Sequence, residues 1–196
     1  MKYTIALLSL FCFSLVAQDK EVIDLVTTEE GWRAESFRFP KPFAPDVNFN
    51  GVADVRFTKG WGDKDSPQFW SYTFTWKILL EKPLTESELE DNMQRYFDGL
   101  MNAVNRDTTI TVPETMALFT SDSDTSGQLN FKAKIRLYDA FFTQEVITLN
   151  VTGHSELCEQ SGLSIYMFRL SPQDIESTTW EYISRTKLKD DVCDLD

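Results

Sequence analysis

Histidine, cysteine and basic residues are scarce in this chain, and each scarcity excludes a class of chemistry. Among 196 residues there is one histidine, His154. A zinc site draws its ligands from His, Cys and carboxylates; one histidine and a cysteine pair expected to be oxidised do not supply them. Nucleophilic catalysis needs a Ser or Cys held by a base that a third group orients. His154 sits beside Ser155 in "VTGHSELCEQSG", read here as a loop joining two strands, and no G-x-S-x-G pattern occurs. No catalytic residue, metal ligand or cofactor site is assigned. Basic residues number 19 against 31 acidic ones, a formal charge of −12. Nucleic-acid binding rests on neutralising phosphates with Lys and Arg, and anionic membrane surfaces attract the same side chains. Neither partner is expected.

Long apolar runs are also lacking, except at the start. "MKYTIALLSLFCFSLVAQDK" places Lys2 before a run without charge from Tyr3 to Ala17. A positive start, a short apolar region and a small residue before polar sequence describe a secretory signal peptide, expected over residues 1–17. The run is shorter than the roughly 20 apolar residues that span a bilayer. A lipid anchor on Cys12 is disfavoured by the bulky Phe11 before it. Residues 18–196 are expected to form one α+β domain, secreted or periplasmic, with no membrane insertion once the leader is removed. Cys12 leaves with the leader, so Cys158 and Cys193 have only each other. No C-x-x-C spacing points to redox work, and an oxidising compartment favours a structural disulfide.

No internal repeat, low-complexity tract or Gly/Ser linker marks a boundary. "SFRFPKPFAP" reads as extended chain at a sheet edge, because Pro40, Pro42 and Pro45 remove donors. "VADVRFT" alternates Ala53, Val55 and Phe57 with Asp54, Arg56 and Thr58, the period of a strand. "QFWSYTFTWKI" follows as the next strand. Thr85 and Glu88 form a capping box for a helix whose buried stripe is Leu89, Met93, Tyr96, Leu100 and Val104, with Gly99 expected to allow close approach to the sheet. "TTITVPETMALF", "QLNFKAKIRLY", "EVITLNVT" and "LSIYMFRL" give four further strands; the last is apolar on both faces and therefore central. Ser171-Pro172-Gln173-Asp174 reads as the start of a short helix carrying Ile175, Trp180 and Ile183. The order predicts an antiparallel sheet of about five to seven strands, with the long helix and the short C-terminal helix packed on one face.

Four stretches are candidate sites. "DVNFNGVAD" places Asp46, Asn48, Asn50, Gly51 and Asp54 at the spacing of a calcium loop, but Phe57 replaces the closing bidentate Glu. "DSDTSG" at 122–127 repeats the opening and ends on Ala133; both read as turns. Lys132, Lys134 and Arg136 form a cationic row opposite the apolar face of their strand. This is either an anion or partner site or a solvent face whose charges pair across strands, with Glu145 for instance. Trp70, Tyr72, Phe74 and Trp76 could line up for a ligand. Read with Ser71, Thr73, Thr75 and Lys77 as a solvent face, they are instead core, Tyr72 or Trp76 being the ones to reach any ligand. The expectation is a non-catalytic binding or accessory domain of unknown ligand. The alternatives are a small extracellular hydrolase using carboxylates or His154, and a calcium-dependent module on Asp46–Asp54.

Overall fold

The computed structural model describes residues 23–123, 128–159 and 161–194, so the expected leader lies outside the described residues. Seven strands form one antiparallel sheet: β2 (Arg33–Arg38), β3 (Asn50–Phe57), β4 (Tyr72–Leu79), β5 (Met116–Ser123), β6 (Leu129–Tyr138), β7 (Val146–Cys158) and β8 (Leu163–Ser171), in the order β2-β3-β4-β8-β7-β6-β5. The doubly apolar "LSIYMFRL" is the fourth strand of the seven, as its composition requires. A two-stranded ribbon joins β1 (Val26–Thr27) to β9 (Lys187–Leu188). The helices are α1 (Glu86–Val104) and α2 (Thr178–Ile183).

Helix α1 starts on the expected capping box: Thr85 Oγ1 accepts the Glu88 N–H, and Glu88 accepts the Thr85 N–H. Its buried residues are Leu89, Met93, Tyr96, Phe97 and Met101. The sheet curls so that α1 meets both edges. At one edge, Glu86, Glu90 and Asp98 accept the outward N–H groups of Ser121 and Phe119 on β5 and of Thr115 just before it, at 2.5, 2.9 and 2.6 Å. Four residues of helix rise about 6 Å and two residues of strand about 6.8 Å. Acids four apart can therefore track alternate amides and close an edge that would otherwise invite pairing. At the other edge, Tyr96 stacks on Phe37 of β2 with centroids 6.2 Å apart. Gly99 permits a close approach to the backbone after β2 rather than to the sheet: a Cβ there would strike the Phe43 carbonyl oxygen.

The aromatic stripe is core. Trp70, Tyr72, Phe74 and Trp76 are all buried, although Trp70 precedes β4 in a left-handed conformation, φ 54°. The expectation for the other side of this strand is corrected. Ser71, Thr73 and Thr75 are 0% exposed and Lys77 5%. What covers them is two segments, around residues 23–26 and 186–193. Leu25 donates its N–H to Asp54 at 2.8 Å, Arg169 donates to the Thr186 carbonyl at 2.7 Å, and Leu25, Val26, Val52, Ile165, Met167 and Val192 form a second, smaller core. The segment after α2 therefore docks on the face opposite α1. Cys158, at the end of β7, is at disulfide distance from Cys193 in the tail, with Cα atoms 5.5 Å apart; the bridge fastens that tail.

Two local expectations also change. Residues 151–158 are strand, not loop: β7 runs through Gly153 and His154, because the missing Cβ of Gly153 admits the Phe131 ring. The short helix begins after Ser177, not Ser171. Ser171 is the last residue of β8; its hydroxyl lies 2.8 Å from that of Ser71 and accepts the Gln173 N–H, closing a turn instead of capping a helix.

Candidate ligand cavity

Between α1 and the β2–β3–β4 end of the sheet lies a cavity of about 380 Å³. Its walls are mostly rings: Phe37, Phe57, Tyr72 and Phe74 from the strands, with Val55 among them, Tyr96 and Phe97 from the helix, and Trp61, Trp70, Phe141 and Phe142 from two loops. Leu100 also faces it, which is why this member of the expected helix stripe is only half-buried.

Two loops carry the rings that no strand period supplies. In residues 58–71, the Thr58 hydroxyl donates to the Ser71 carbonyl at 2.9 Å and the Trp70 N–H to the Trp61 carbonyl at 3.0 Å. These bonds place the two indoles 5.7 Å apart. A bulky residue with positive φ is costly and persists only where its surroundings over-determine it; Trp70 pairs that conformation with 1% exposure. In the second loop, the buried Asp139 carboxylate accepts the N–H groups of Phe141, Phe142 and Thr143 at 3.0, 3.1 and 2.9 Å, and the Thr143 hydroxyl. This turn sets Phe142 against Trp61, centroids 5.0 Å apart.

The polar content of the cavity is small. Its charged lining residues are Arg33, Glu35 and Lys41. The Arg33 guanidinium lies 4.7 Å above the Phe57 ring and 5.2 Å from Trp61, and 3.6 Å from Glu35. The Lys41 ammonium is 5.0 Å from the Phe37 ring and 6.0 Å from Phe43. Burial, and then the nearby Tyr96, pushes the Tyr72 hydroxyl well above its ordinary range; burial, and then Glu35, does the same to Tyr96. Both phenols therefore stay neutral and can donate or accept. Among the described residues neither hydroxyl has a hydrogen-bond partner, and the indole N–H groups of Trp61 and Trp70 are buried without an acceptor.

Of the aromatic row singled out from the sequence, Trp70, Tyr72 and Phe74 line the cavity; the cationic row, His154 and the calcium-loop residues lie elsewhere. Lys132, Lys134 and Arg136 are exposed in a row on β6, on the face away from α1. Lys134 donates to Asn150 at 3.1 Å, and no ion pair involves the three among the described residues. Lys132 and Lys134 border an open groove of about 270 Å³ with Leu118, Asn150 and Ile175. His154 is on that same face, 3.5 Å from Glu156. The calcium-loop residues do not converge. Asp46 reaches Arg95 at 3.3 Å, whereas Asp54 is buried against Arg56 at 2.6 Å. No group of three or more His, Cys, Asp or Glu among the described residues is placed to hold a metal. Residues 124–127 of the second fragment lie outside the described residues.

Arg33, Lys41, Trp61, Asp139 and the Phe141–Phe142 pair were not marked by periodicity. Their signal was local: an aspartate four residues before a threonine, with two phenylalanines between, and a tryptophan flanked by glycines in "KGWGDKD". The arrangement is an antiparallel α+β fold with a ring-lined cavity gripped between helix and sheet. No protein-family model matches the chain, and no curated protein or solved structure matches it. Among the described residues, no helix is long and apolar enough to cross a membrane.

Proposed function

We propose that this protein is a non-catalytic binding domain acting outside the cytoplasm, and that its ligand is a small, largely apolar molecule containing a ring. The observation that carries this is the cavity of about 380 Å³ with eleven of its sixteen lining residues aromatic. Cavities of this size, apolar with a few polar groups, are where proteins hold small molecules. Flat rings pack on aromatic walls in offset or edge-on geometries that add to the burial energy. The binding reading is favoured over hydrolysis because the lining brings in one carboxylate, Glu35, and neither His154 nor an acid pair. An extracytoplasmic location accords with the leader-like start and with the Cys158–Cys193 pair.

Titration with phenylnaphthylamine, a neutral two-ring probe, tests the site. One saturable site is expected, lost in Leu100→Trp, whose indole fills the cavity, while the thermal transition stays within a few degrees. Phe142→Ala, which opens a wall, is expected to weaken the probe without filling anything. Absence of saturable binding, or binding indifferent to both variants, would overturn the proposal.

A further inference from the structure

The charges at the cavity are not equivalent. Arg33 and Glu35, two residues apart on β2, answer each other at 3.6 Å, and the guanidinium sits over the Phe57 and Trp61 rings. Lys41 has no carboxylate within ion-pair distance among the described residues, although the chain as a whole carries −12. It is half-buried, beside the Phe37 and Phe43 rings that Tyr96 also touches. Besides Lys41, this cavity offers the Tyr72 and Tyr96 hydroxyls and the Trp61 and Trp70 indoles in its walls, so its polar groups are mostly donors, with Glu35 the one carboxylate acceptor. A site rich in donors and aromatic walls fits a ligand with apolar rings and an oxygen-acid head.

We infer that the ligand of this cavity is an amphipathic anion, a ring-bearing carboxylate or sulfonate, and that Lys41 takes its acidic head. This rests on the binding reading above. A half-buried ammonium beside rings makes a stronger charge-assisted bond than one in open solvent. Arg33, already matched by Glu35, serves as a wall for the rings.

Two probes that differ by one sulfonate separate the claims: anilinonaphthalene sulfonate and the neutral phenylnaphthylamine. The wild-type protein is expected to bind both at one site, the sulfonate at least about tenfold more tightly, as a charge-assisted bond implies. Lys41→Ala is expected to abolish that preference while leaving the neutral probe unchanged, and Lys41→Arg to restore most of it. Arg33→Ala is expected to weaken both probes alike. Equal affinities in the wild type, or a preference that survives Lys41→Ala, would overturn the head-group inference and leave the cavity reading standing. If neither probe saturates, the cavity reading itself fails. Since Lys41 lies in a surface turn outside the main sheet, its variants test recognition without unfolding the chain.

Discussion

On the helix side of β4, Tyr72, Phe74 and Trp76 look onto rings and a cavity. On the other side, Thr73, Thr75 and Lys77 look onto the segments around residues 23–26 and 186–193. Both sides are buried, but by different means. The helix side is closed by large rings whose shapes leave a space between them. The opposite side is closed by hydrogen bonds, a buried ion pair and a disulfide that hold these two segments in place. The first arrangement leaves room for a ligand and the second fastens the fold. Alternation along a strand tells which residues share a face; it does not tell whether a face is wet.

If that division holds, substitutions on the two sides should separate stability from binding. The largest effect is expected at Asp54. Burial pushes its carboxyl above the ordinary value, while Arg56 and the Leu25 N–H pull it back. Asp54→Ala would leave Arg56, whose side chain is 11% exposed, without its buried partner. Breaking such a pair from one side costs about 3–5 kcal/mol. Chemical denaturation should record that loss, while probe affinity in the folded fraction stays within twofold. On the helix side, Asp139→Ala removes the acceptor of four hydrogen bonds that shape the Phe141–Phe142 turn. The expected cost is about 2 kcal/mol, accompanied here by a several-fold loss of phenylnaphthylamine affinity. Equal affinity in this variant would dissolve the distinction between the two sides.

The smallest effect belongs to His154, on the face away from the cavity. Burial first, and the Arg169 charge second, hold its imidazole below the ordinary value of 6.5, with Glu156 opposing. The unfolded chain therefore takes up this proton at a higher pH than the native protein does. Stability should fall modestly as pH drops below 6.5. His154→Asn should flatten that slope in denaturation curves recorded across the window, with no change in probe binding.

Much of the scaffold was legible because it is written locally. The Thr85–Glu88 box fixed where α1 starts, "QLNFKAKIRLY" alternates cleanly, and "LSIYMFRL", apolar on both sides, belongs in mid-sheet. The cysteine pair followed from assigning Cys12 to the expected leader, which left Cys158 and Cys193 only each other. Burial of the threonine face was not legible, because it depends on where residues 23–26 and 186–193 return in space. His154 was read in a loop joining two strands, whereas the Phe131 ring across the ladder makes glycine the residue that fits at 153 and the strand runs on through His154. The candidate site was least legible. The cationic row at 132–136 stands out by period and borders only an open groove. The cavity draws its walls from strands, a helix and two loops spread from Arg33 to Phe142, and no spacing rule links them.

Of the five tryptophans, Trp32, Trp61, Trp70, Trp76 and Trp180, two line the cavity and two lie away from it. Trp61 and Trp70 line the cavity. Trp32 donates to the Tyr182 hydroxyl and Trp180 to the Gln173 carbonyl, and neither lines the cavity. Fluorine NMR of protein labelled with fluorotryptophan, titrated with phenylnaphthylamine, therefore reads the cavity and positions away from it at once. The resonances of Trp61 and Trp70 should shift saturably together while those of Trp32 and Trp180 stay fixed. Movement of Trp32 or Trp180 with Trp61 and Trp70 unmoved would contradict the assignment of this cavity as the binding site.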